Sequence, residues 1–459
     1  MKTLKILIIL LVLSASSFLV SCEDYTEVDL PQSQLTGVKV YENLSTAKAA
    51  LADIYARIRD GGVLAGTQFG CTPLMANYVD DMDYYGQNSE MEEFSTHTVQ
   101  SSNYFLAVVW DSTYSQIYAL NSFLQGIKNS QTIAEEDKQQ LIGEALFLRA
   151  FLNFYLVNLF GDVPYVTSID PSVNALIGRT AASQVYSNIT SDLLEAEELI
   201  TESYPSTERV HPNKAAVRAL LARVYLYTGN YTQAEAMTTT VLSDPIYSLD
   251  SNLSNSFLKE SPAIILAAQS GIAGQNTEDA VSFLLWFGPP FKPSLSEQLY
   301  NAFEPDDRRK TEWVGTLSAG SSTWYYPAKY KLDEPSSPSA EYTIWLGLSE
   351  QYLIRAEARA MLGNILGGQQ DLNVIRIRAG LAETTASTTT ELTAAILHER
   401  RFEFFTEQSH RWFDLKRTGK AAETLSGLKI GWRNTDLLLP IPEKELQLNK
   451  NLLPQNPGY

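Results

Sequence analysis

The segment from Glu135 to Phe160 has the most regular hydrophobic pattern in the chain, and this pattern dictates a helix. Its apolar side chains recur in steps of three and four residues, at Leu141, Ala145, Leu148, Leu152, Tyr155 and Leu159. That spacing places them on one face of a helix with 3.6 residues per turn. Gly161 and Pro164 follow and prevent its continuation. Because such a face must be covered by other elements, we expect a mainly α-helical fold.

Paired helices are indicated around residues 213–242. The turn Gly229-Asn230-Tyr231, followed by Ala234, is typical of a tetratricopeptide helical pair, in which glycine permits the turn and alanine permits close helix approach. A weaker copy surrounds Gly363 and Asn364. The regular repeat of about 34 residues is absent, so we expect degenerate helical pairs rather than a regular array. The other predicted helices are 46–58, 104–127, 135–160, 182–200, one ending at 375 and 391–405.

Two stretches, 61–98 and 246–341, lack helical periodicity, and we predict that they are loop-rich regions carried by a scaffold of residues 41–60, 104–244 and 342–420. Long irregular regions in a compact protein are usually functional. The second region is rich in aromatic residues: Trp286, Phe287, Phe291, Trp313, Trp324, Tyr325 and Tyr326. Aromatic rings cover the apolar face of a sugar, while carboxylates and amides bond its hydroxyls. The predicted ligand site comprises Asp80, Asp81, Tyr84, Tyr85, Trp286, Trp324 and Tyr325.

Charge and motif content exclude several classes of protein. The chain has 53 acidic and 35 basic residues, and its net charge of -18 opposes nucleic-acid binding. The four histidines lack metal-ligand spacing, and the motifs of nucleotide-binding enzymes and serine hydrolases are missing. We therefore expect no catalysis, no metal and no cofactor. Two alternatives stay open, because a glycoside hydrolase needs only two carboxylates and because Asp80, Asp81 and Asp83 could hold a structural calcium ion.

Two basic and aromatic runs, Glu399–Phe405 and Arg411–Arg417, lie near the C-terminus. Such a mixture also occurs in nucleic-acid-binding surfaces. The acidic net charge disfavours that function, and nearby carboxylates can neutralise the arginines: Glu399, Glu403, Glu407 and Asp414. We predict ion pairs between helices instead.

The N-terminus has the order of a secretory signal: Lys2 and Lys5, an apolar run, then small residues. Leu19-Val20-Ser21-Cys22 resembles the lipobox of bacterial lipoproteins, so residues 1–21 are predicted to be a signal peptide and Cys22 the lipid-bearing residue. Residues 22–40 would form the tether. Glu23-Asp24 is similar to the surface-export signal of Bacteroidetes lipoproteins, although a merely solvated linker would read the same.

Several motifs in order resemble the SusD/RagB-like lipoproteins of Bacteroidetes. They are Glu144-Ala145 with Leu148-Arg149-Ala150, Phe160-Gly161-Asp162-Val163-Pro164, Asn373 with Ile375-Arg376 and Arg378-Ala379-Gly380-Leu381, Glu399–Phe404, Arg411–Arg417, Leu439-Pro440-Ile441-Pro442-Glu443 and Gln455-Asn456-Pro457-Gly458-Tyr459. With the lipobox, the resemblance spans essentially the whole chain.

The resemblance implies about four tetratricopeptide-like pairs in a right-handed superhelical scaffold. It also implies a lipid-anchored protein of the outer membrane, exposed at the cell surface, that captures oligosaccharides. The expected partner is a SusC-like TonB-dependent transporter, to which the lipoprotein delivers its ligand as a hinged lid. Some members of the family serve peptide uptake, so a peptide-binding lid stays open as an alternative. The ligand residues named above do not come from the family motifs.

Overall fold

The computed structural model describes residues 37–459, so the predicted signal peptide, Cys22 and most of the tether lie outside the described residues. Within that range the fold is mainly α-helical, as expected. The helices are α1 Gly37–Val40, α2 Leu44–Asp60, α3 Cys71–Tyr78, α4 Ser89–Thr96, α5 Tyr104–Asn129, α6 Glu135–Phe160, α7 Pro171–Asn174, α8 Ala182–Leu199, α9 Lys214–Tyr227, α10 Tyr231–Leu242, α11 Glu278–Phe283, α12 Glu297–Ala302, α13 Arg308–Trp313, α14 Leu348–Met361, α15 Ile365–Arg378, α16 Thr389–Phe404, α17 His410–Arg417, α18 Ala421–Leu425 and α19 Glu443–Leu448. The strands are β1 Met82–Asp83, β2 Ile264–Ala268, β3 Ser294–Leu295, β4 Val314–Ala319, β5 Ser322–Pro327 and β6 Thr343–Gly347.

The long helices pack in succession. Helix α2 packs on α5, α5 on α6, α6 on α8, α8 on α9 and α9 on α10, which in turn packs on α14 and thereby on α15 and α16. Four pairs result: α2 with α5, α6 with α8, α9 with α10 and α14 with α15. The expectation of about four tetratricopeptide-like pairs is confirmed.

The tight turns of two pairs have the predicted conformation. Gly229 and Gly363 adopt φ angles of 73° and 82°, a left-handed conformation that side-chain-bearing residues rarely take. The backbone N–H of Asn230 donates to the carbonyl of Tyr225 at 2.8 Å and so closes the end of α9. Ala234 is completely buried against α14, which its small size allows.

Helix α6 forms the centre of the scaffold and has the predicted bounds. It is long and apolar enough to cross a membrane, but 94% of its most apolar stretch is buried inside the protein. Its side chains Leu148, Leu152 and Phe151 have no exposed surface. The helix therefore serves as the core onto which its neighbours pack.

The predicted loop-rich regions contain more regular structure than expected. Four short strands form an antiparallel sheet in the order β1-β3-β5-β4, and β2 pairs with β6 in a second sheet. Region 61–98 also holds α3 and α4. Strands β1 and β3 have two residues each and are too short to show a period in the sequence.

The predicted ion pairs of the C-terminal runs are confirmed. Asp414 pairs with Arg400 at 2.6 Å and with Arg417 at 2.9 Å. Glu399 pairs with Arg309 of α13 and Arg376 of α15 at 2.6 and 3.1 Å. These side chains are almost completely buried, so the charges join helices and do not form a basic surface.

A second buried ion pair joins two helices of the scaffold. Arg223 of α9 donates to both carboxylate oxygens of Glu350 of α14, at 2.6 and 2.7 Å, and both side chains are 2% exposed. Replacing Arg223 by Met would leave the Glu350 carboxylate buried without a partner. We expect Arg223→Met to lower the free energy of unfolding by about 3–5 kcal/mol in urea denaturation.

The double variant Arg223→Met/Glu350→Met should recover most of that loss, because two apolar side chains tolerate burial. Arg57→Met is the matched control: it removes an arginine from an ion pair with Asp53 whose side chains are more than half exposed, and little change is expected. Equal effects of Arg223→Met and Arg57→Met would contradict this account of the scaffold.

A buried carboxyl fastens α11 to the second sheet. The hydroxyl of Thr343 of β6 donates a hydrogen bond to the side-chain carboxyl of Asp279 at 2.5 Å. Burial raises the pKa of Asp279 to about 6, and the charge of Glu278 adds to this rise. In the unfolded chain the pKa should be about 3.9. The protonated form therefore stabilises the fold below pH 4, and this contribution disappears as pH rises through 6.

Asp279→Asn should remove this pH dependence while keeping the shape of the side chain. Relative to the wild type, the variant should gain up to about 3 kcal/mol of unfolding free energy at pH 8 and nothing near pH 4. Urea denaturation at both pH values measures the difference. A difference that stays constant between pH 4 and pH 8 would show that the carboxyl does not titrate as described.

Candidate ligand-binding site

Strand pairing brings the two loop-rich regions together. In the antiparallel pair of β1 and β3, Asp83 lies opposite Ser294. The residues that follow β1 therefore lie beside those that precede β3. As a result, Tyr84 and Tyr85 adjoin residues 284–293, which we call the aromatic loop.

The aromatic loop exposes three large side chains to solvent. Trp286, Phe287 and Phe291 are 67%, 60% and 58% exposed. The rings of Phe287 and Phe291 lie 5.3 Å apart at an angle of 31°. Isolated exposed apolar residues are common, but a group of aromatic rings on one loop indicates a contact surface.

Polar contacts and one close approach hold this loop in place. The indole N–H of Trp286 donates to Asp333 at 2.5 Å. The ammonium of Lys292 donates to the carbonyl of Leu284 at 3.2 Å and also to that of Val281. Gly288 lies against the ring of Trp324, where a Cβ atom would come within 2.4 Å of a ring carbon. The loop thus keeps its shape without burying its own aromatic rings.

Two tyrosines border the loop from the first region. The backbone N–H of Asn88 donates to the hydroxyl of Tyr84 at 2.9 Å. Tyr85 is half exposed. Burial first, and then the charges of Asp83 and Glu297, raise the pKa of Tyr85. Its hydroxyl therefore stays neutral near pH 7 and can both donate and accept hydrogen bonds.

Trp324 and Tyr325 do not contribute to one surface. They are successive residues of β5, so their side chains lie on opposite faces of the sheet. Trp324 borders the aromatic loop, whereas Tyr325 stacks on Tyr300 at 3.5 Å with nearly parallel rings. The ammonium of Lys310 lies 3.9 Å from the centre of the Tyr300 ring. Tyr325 thus belongs to a separate aromatic pair.

Asp80 and Asp81, two of the predicted ligand residues, lie in buried ion pairs. Both side chains are buried, and Asp80 pairs with Arg401 and Arg411 at 2.8 Å each. Asp81 pairs with Arg401 at 3.1 Å. Burial alone would raise the pKa of Asp80, but the hydrogen bond from Arg411 and the charges of both arginines lower it. These carboxylates join the segment before β1 to α16 and α17.

The calcium alternative receives no support from this geometry. Two of its three proposed ligands, Asp80 and Asp81, are already paired with arginines. Among residues 37–459, no group of three or more His, Cys, Asp or Glu side chains is arranged to hold a metal ion.

A cavity of about 540 Å³ opens beside the aromatic loop. Tyr84 and Asn88 line it from the first region, Phe291 and Lys292 from the second, and Phe69 from the segment before α3. Volumes of roughly 300–1,000 Å³ are usual for small-ligand sites. Rings next to amide and hydroxyl groups can cover the apolar face of a sugar while bonding its rim.

Sequence reasoning missed Phe69, Phe287 and Phe291 as site residues. The prediction favoured tryptophan and tyrosine, which combine an aromatic ring with a polar group. The sequence did contain a signal that Phe291 is exposed, because Pro289, Pro290 and Pro293 surround it. Proline disfavours the interior of helices and strands, where a phenylalanine would normally become buried.

Comparison with known proteins identifies the family. A family model described as starch-binding and associating with the outer membrane matches residues 29–226, and the SusD family model matches residues 308–459. SusD-like protein P2 of Formosa agariphila is 27% identical, with all of both chains covered. SusD-like protein P25 of the same organism is 25% identical and covers 96% of this chain and 97% of its own.

Solved structures show the same fold. A SusD superfamily protein from Parabacteroides distasonis superposes with a TM-score of 0.79 over 93% of this chain and all of its own, at 23% identity. A laminarin-binding SusD-like protein superposes with a TM-score of 0.76 over 91% of this chain and all of its own, at 26% identity. The fold and these matches agree, and the chain belongs to the SusD/RagB-like family.

Proposed function

We propose that this protein is a surface-exposed lipoprotein that binds a glycan at the aromatic loop and delivers it to a SusC-like TonB-dependent transporter. The observation that carries the proposal is the exposure of Trp286, Phe287 and Phe291 beside a cavity that Tyr84 and Asn88 also line. Leaving three such rings in water is unfavourable by itself. A ligand with apolar faces would remove that cost.

The chemistry around the rings suits a sugar. Tyr85 offers a neutral hydroxyl, and Asn88 at the cavity offers amide groups. The similarity to a protein titled as laminarin-binding, and to one titled surface glycan-binding protein A from Bacteroides fluxus, supports a carbohydrate ligand. The second of these shares 20% identity, a TM-score of 0.76 and 90% coverage of this chain.

We propose binding without hydrolysis. A glycosidase needs two carboxylates that face the sugar, one of them free to give up a proton. Asp80 and Asp81 are engaged by arginines and buried. The proposal predicts that a bound polysaccharide keeps its number of reducing ends during prolonged incubation with the protein.

The aromatic loop is tested by affinity electrophoresis of the lipid-free chain in gels containing laminarin, amylopectin, xylan, galactomannan or alginate. We expect at least one neutral polysaccharide to retard the protein. Trp286→Ala should weaken this retention about tenfold or more, because stacking of an aromatic ring on the apolar face of a sugar contributes on the order of 1–2 kcal/mol.

Tyr118→Ala provides the control. Tyr118 is an exposed aromatic residue on α5, so its loss should leave retention unchanged. Equal retention of the wild type and Trp286→Ala would place the glycan elsewhere. Migration unaffected by every polysaccharide would contradict glycan binding and favour a peptide ligand.

The anchor is tested separately. Lipid attachment at Cys22 would require its thiol, and two or more acyl chains hold a protein firmly to a bilayer. Cys22→Ala should therefore move the protein from the membrane fraction to the soluble fraction, as measured by immunoblotting after ultracentrifugation. Cys71→Ala serves as the control, since Cys71 is buried. Membrane association that survives Cys22→Ala would contradict the lipobox interpretation.

A further inference from the structure

A series of cavities continues from the aromatic loop along α2. The site cavity of about 540 Å³ shares Asp60 and Glu278 with a neighbour of about 200 Å³. That neighbour shares Arg59 and Ala268 with a cavity of about 90 Å³. The last in the series, of about 530 Å³, shares Ala52 with it. The four cavities lie one after another along α2 and share wall residues, and we call this row of cavities the α2 groove.

The groove follows one face of the helix. Lys48, Ala52, Ala56 and Arg59 are spaced by three or four residues, so they form a stripe along α2. The opposite face is buried in the core. At 1.5 Å per residue, the stripe from Lys48 to Asp60 is about 18 Å long, which far exceeds the width of one sugar ring.

The far end of the groove contains a polar cluster around Glu144. This carboxylate is buried and contacts His211 at 2.8 Å. The hydroxyl of Tyr55 donates to it at 3.0 Å, as does the side-chain amide of Gln140. Glu144 therefore fixes the orientation of an aromatic ring, an imidazole and an amide, all three of which line the groove.

Charge along the groove disfavours an acidic ligand. The carboxylates that line it include the exposed Glu136 and Glu278 and the half-buried Asp137. Two of the cations there are paired with carboxylates, Arg59 with Asp60 and His211 with Glu144. Lys48 and Lys292 also line the groove and balance only two of the three carboxylates. A chain of uronic acids or sulfated sugars would be repelled, whereas a neutral chain would not.

We infer that the ligand is a neutral glycan of several sugar units, which extends from the aromatic loop along the α2 groove to the Glu144 cluster. This inference rests on the proposed glycan binding and adds the ligand's length, its charge and a second contact region. The aromatic loop holds one end of the chain. Tyr55, Gln140 and His211 provide hydrogen-bonding groups for the other end.

Isothermal titration calorimetry compares chain lengths. The probes are the disaccharide and the hexasaccharide of whichever neutral polysaccharide retards the protein most in the electrophoresis. We expect the hexasaccharide to bind at least about tenfold more tightly, because only it reaches both contact regions. Ala52→Trp should fill the middle of the groove, abolish most of this advantage and leave disaccharide binding unchanged.

Asp53→Trp is the matched control, because it adds the same bulk to the neighbouring exposed position, which does not line the groove. It should bind both oligosaccharides as the wild type does. Circular dichroism of both variants verifies that α2 is intact.

Equal affinity for the two oligosaccharides, with binding that still depends on Trp286, would overturn the groove while leaving the proposed function intact. An unchanged hexasaccharide affinity in Ala52→Trp would also overturn the groove while leaving the proposed function intact. Tighter binding of alginate than of every neutral polysaccharide would refute the neutral ligand. If no polysaccharide binds at all, the proposed function fails and the groove inference fails with it.

Discussion

Burying a charge without a close partner of opposite sign strongly destabilises a protein. Helices α16 and α17 carry a dense set of buried charges, and their partners lie far away in the chain. Arg401 and Arg411 bind Asp80, just ahead of β1. Glu403 contacts Arg309 at 3.2 Å, and Glu407 contacts Lys329. Both loop-rich regions are thereby fastened to α16, α17 and the turn between them.

Because of these ion pairs, the residues that hold the loop-rich regions in place differ from the aromatic residues that contact a ligand. The position of these regions is set by ion pairs, by the strand pairing of β1 with β3 and by hydrogen bonds such as that of Trp286 to Asp333. Trp313 and Phe283 are buried in a hydrophobic cluster of the second region, whereas the exposed rings of the aromatic loop are not needed as anchors and stay available to a ligand. A loop ordered before binding loses little conformational entropy when the ligand arrives, which favours capture of a weakly interacting polymer such as a neutral glycan.

The helical scaffold could be predicted well from the sequence, because its signals are local. The hydrophobic period of α6 and the glycine turns at Gly229 and Gly363 each depend on a few neighbouring residues. The burial of Asp80 and Asp81 in ion pairs could not be predicted in this way. Their position next to tyrosines suggests a sugar site, but Arg401, the partner of Asp81, is 320 residues away in the chain.

Half of the small sheet was hidden for a related reason, since the pairing of the two-residue strands β1 and β3 depends on the surrounding fold. The opposite orientations of Trp324 and Tyr325 follow directly from that sheet. Once β5 is known, the alternation of side chains along a strand places the two residues on opposite faces. Without the strand, two adjacent aromatic residues suggest a single surface. Tyr84, Tyr85, Trp286 and Trp324 are the predicted site residues that the fold does bring together, whereas Phe291 joins them only in the structure.

The central claim is that the aromatic loop, the residues after β1 and the exposed side of α2 act as one binding surface. Hydrogen–deuterium exchange with and without a bound neutral polysaccharide measures this directly. The account predicts slower exchange at residues 284–293, 84–88 and 48–60 on binding, with the rest of the scaffold unchanged. Protection confined to other segments, or none at these three in a sample that demonstrably binds glycan, would contradict it.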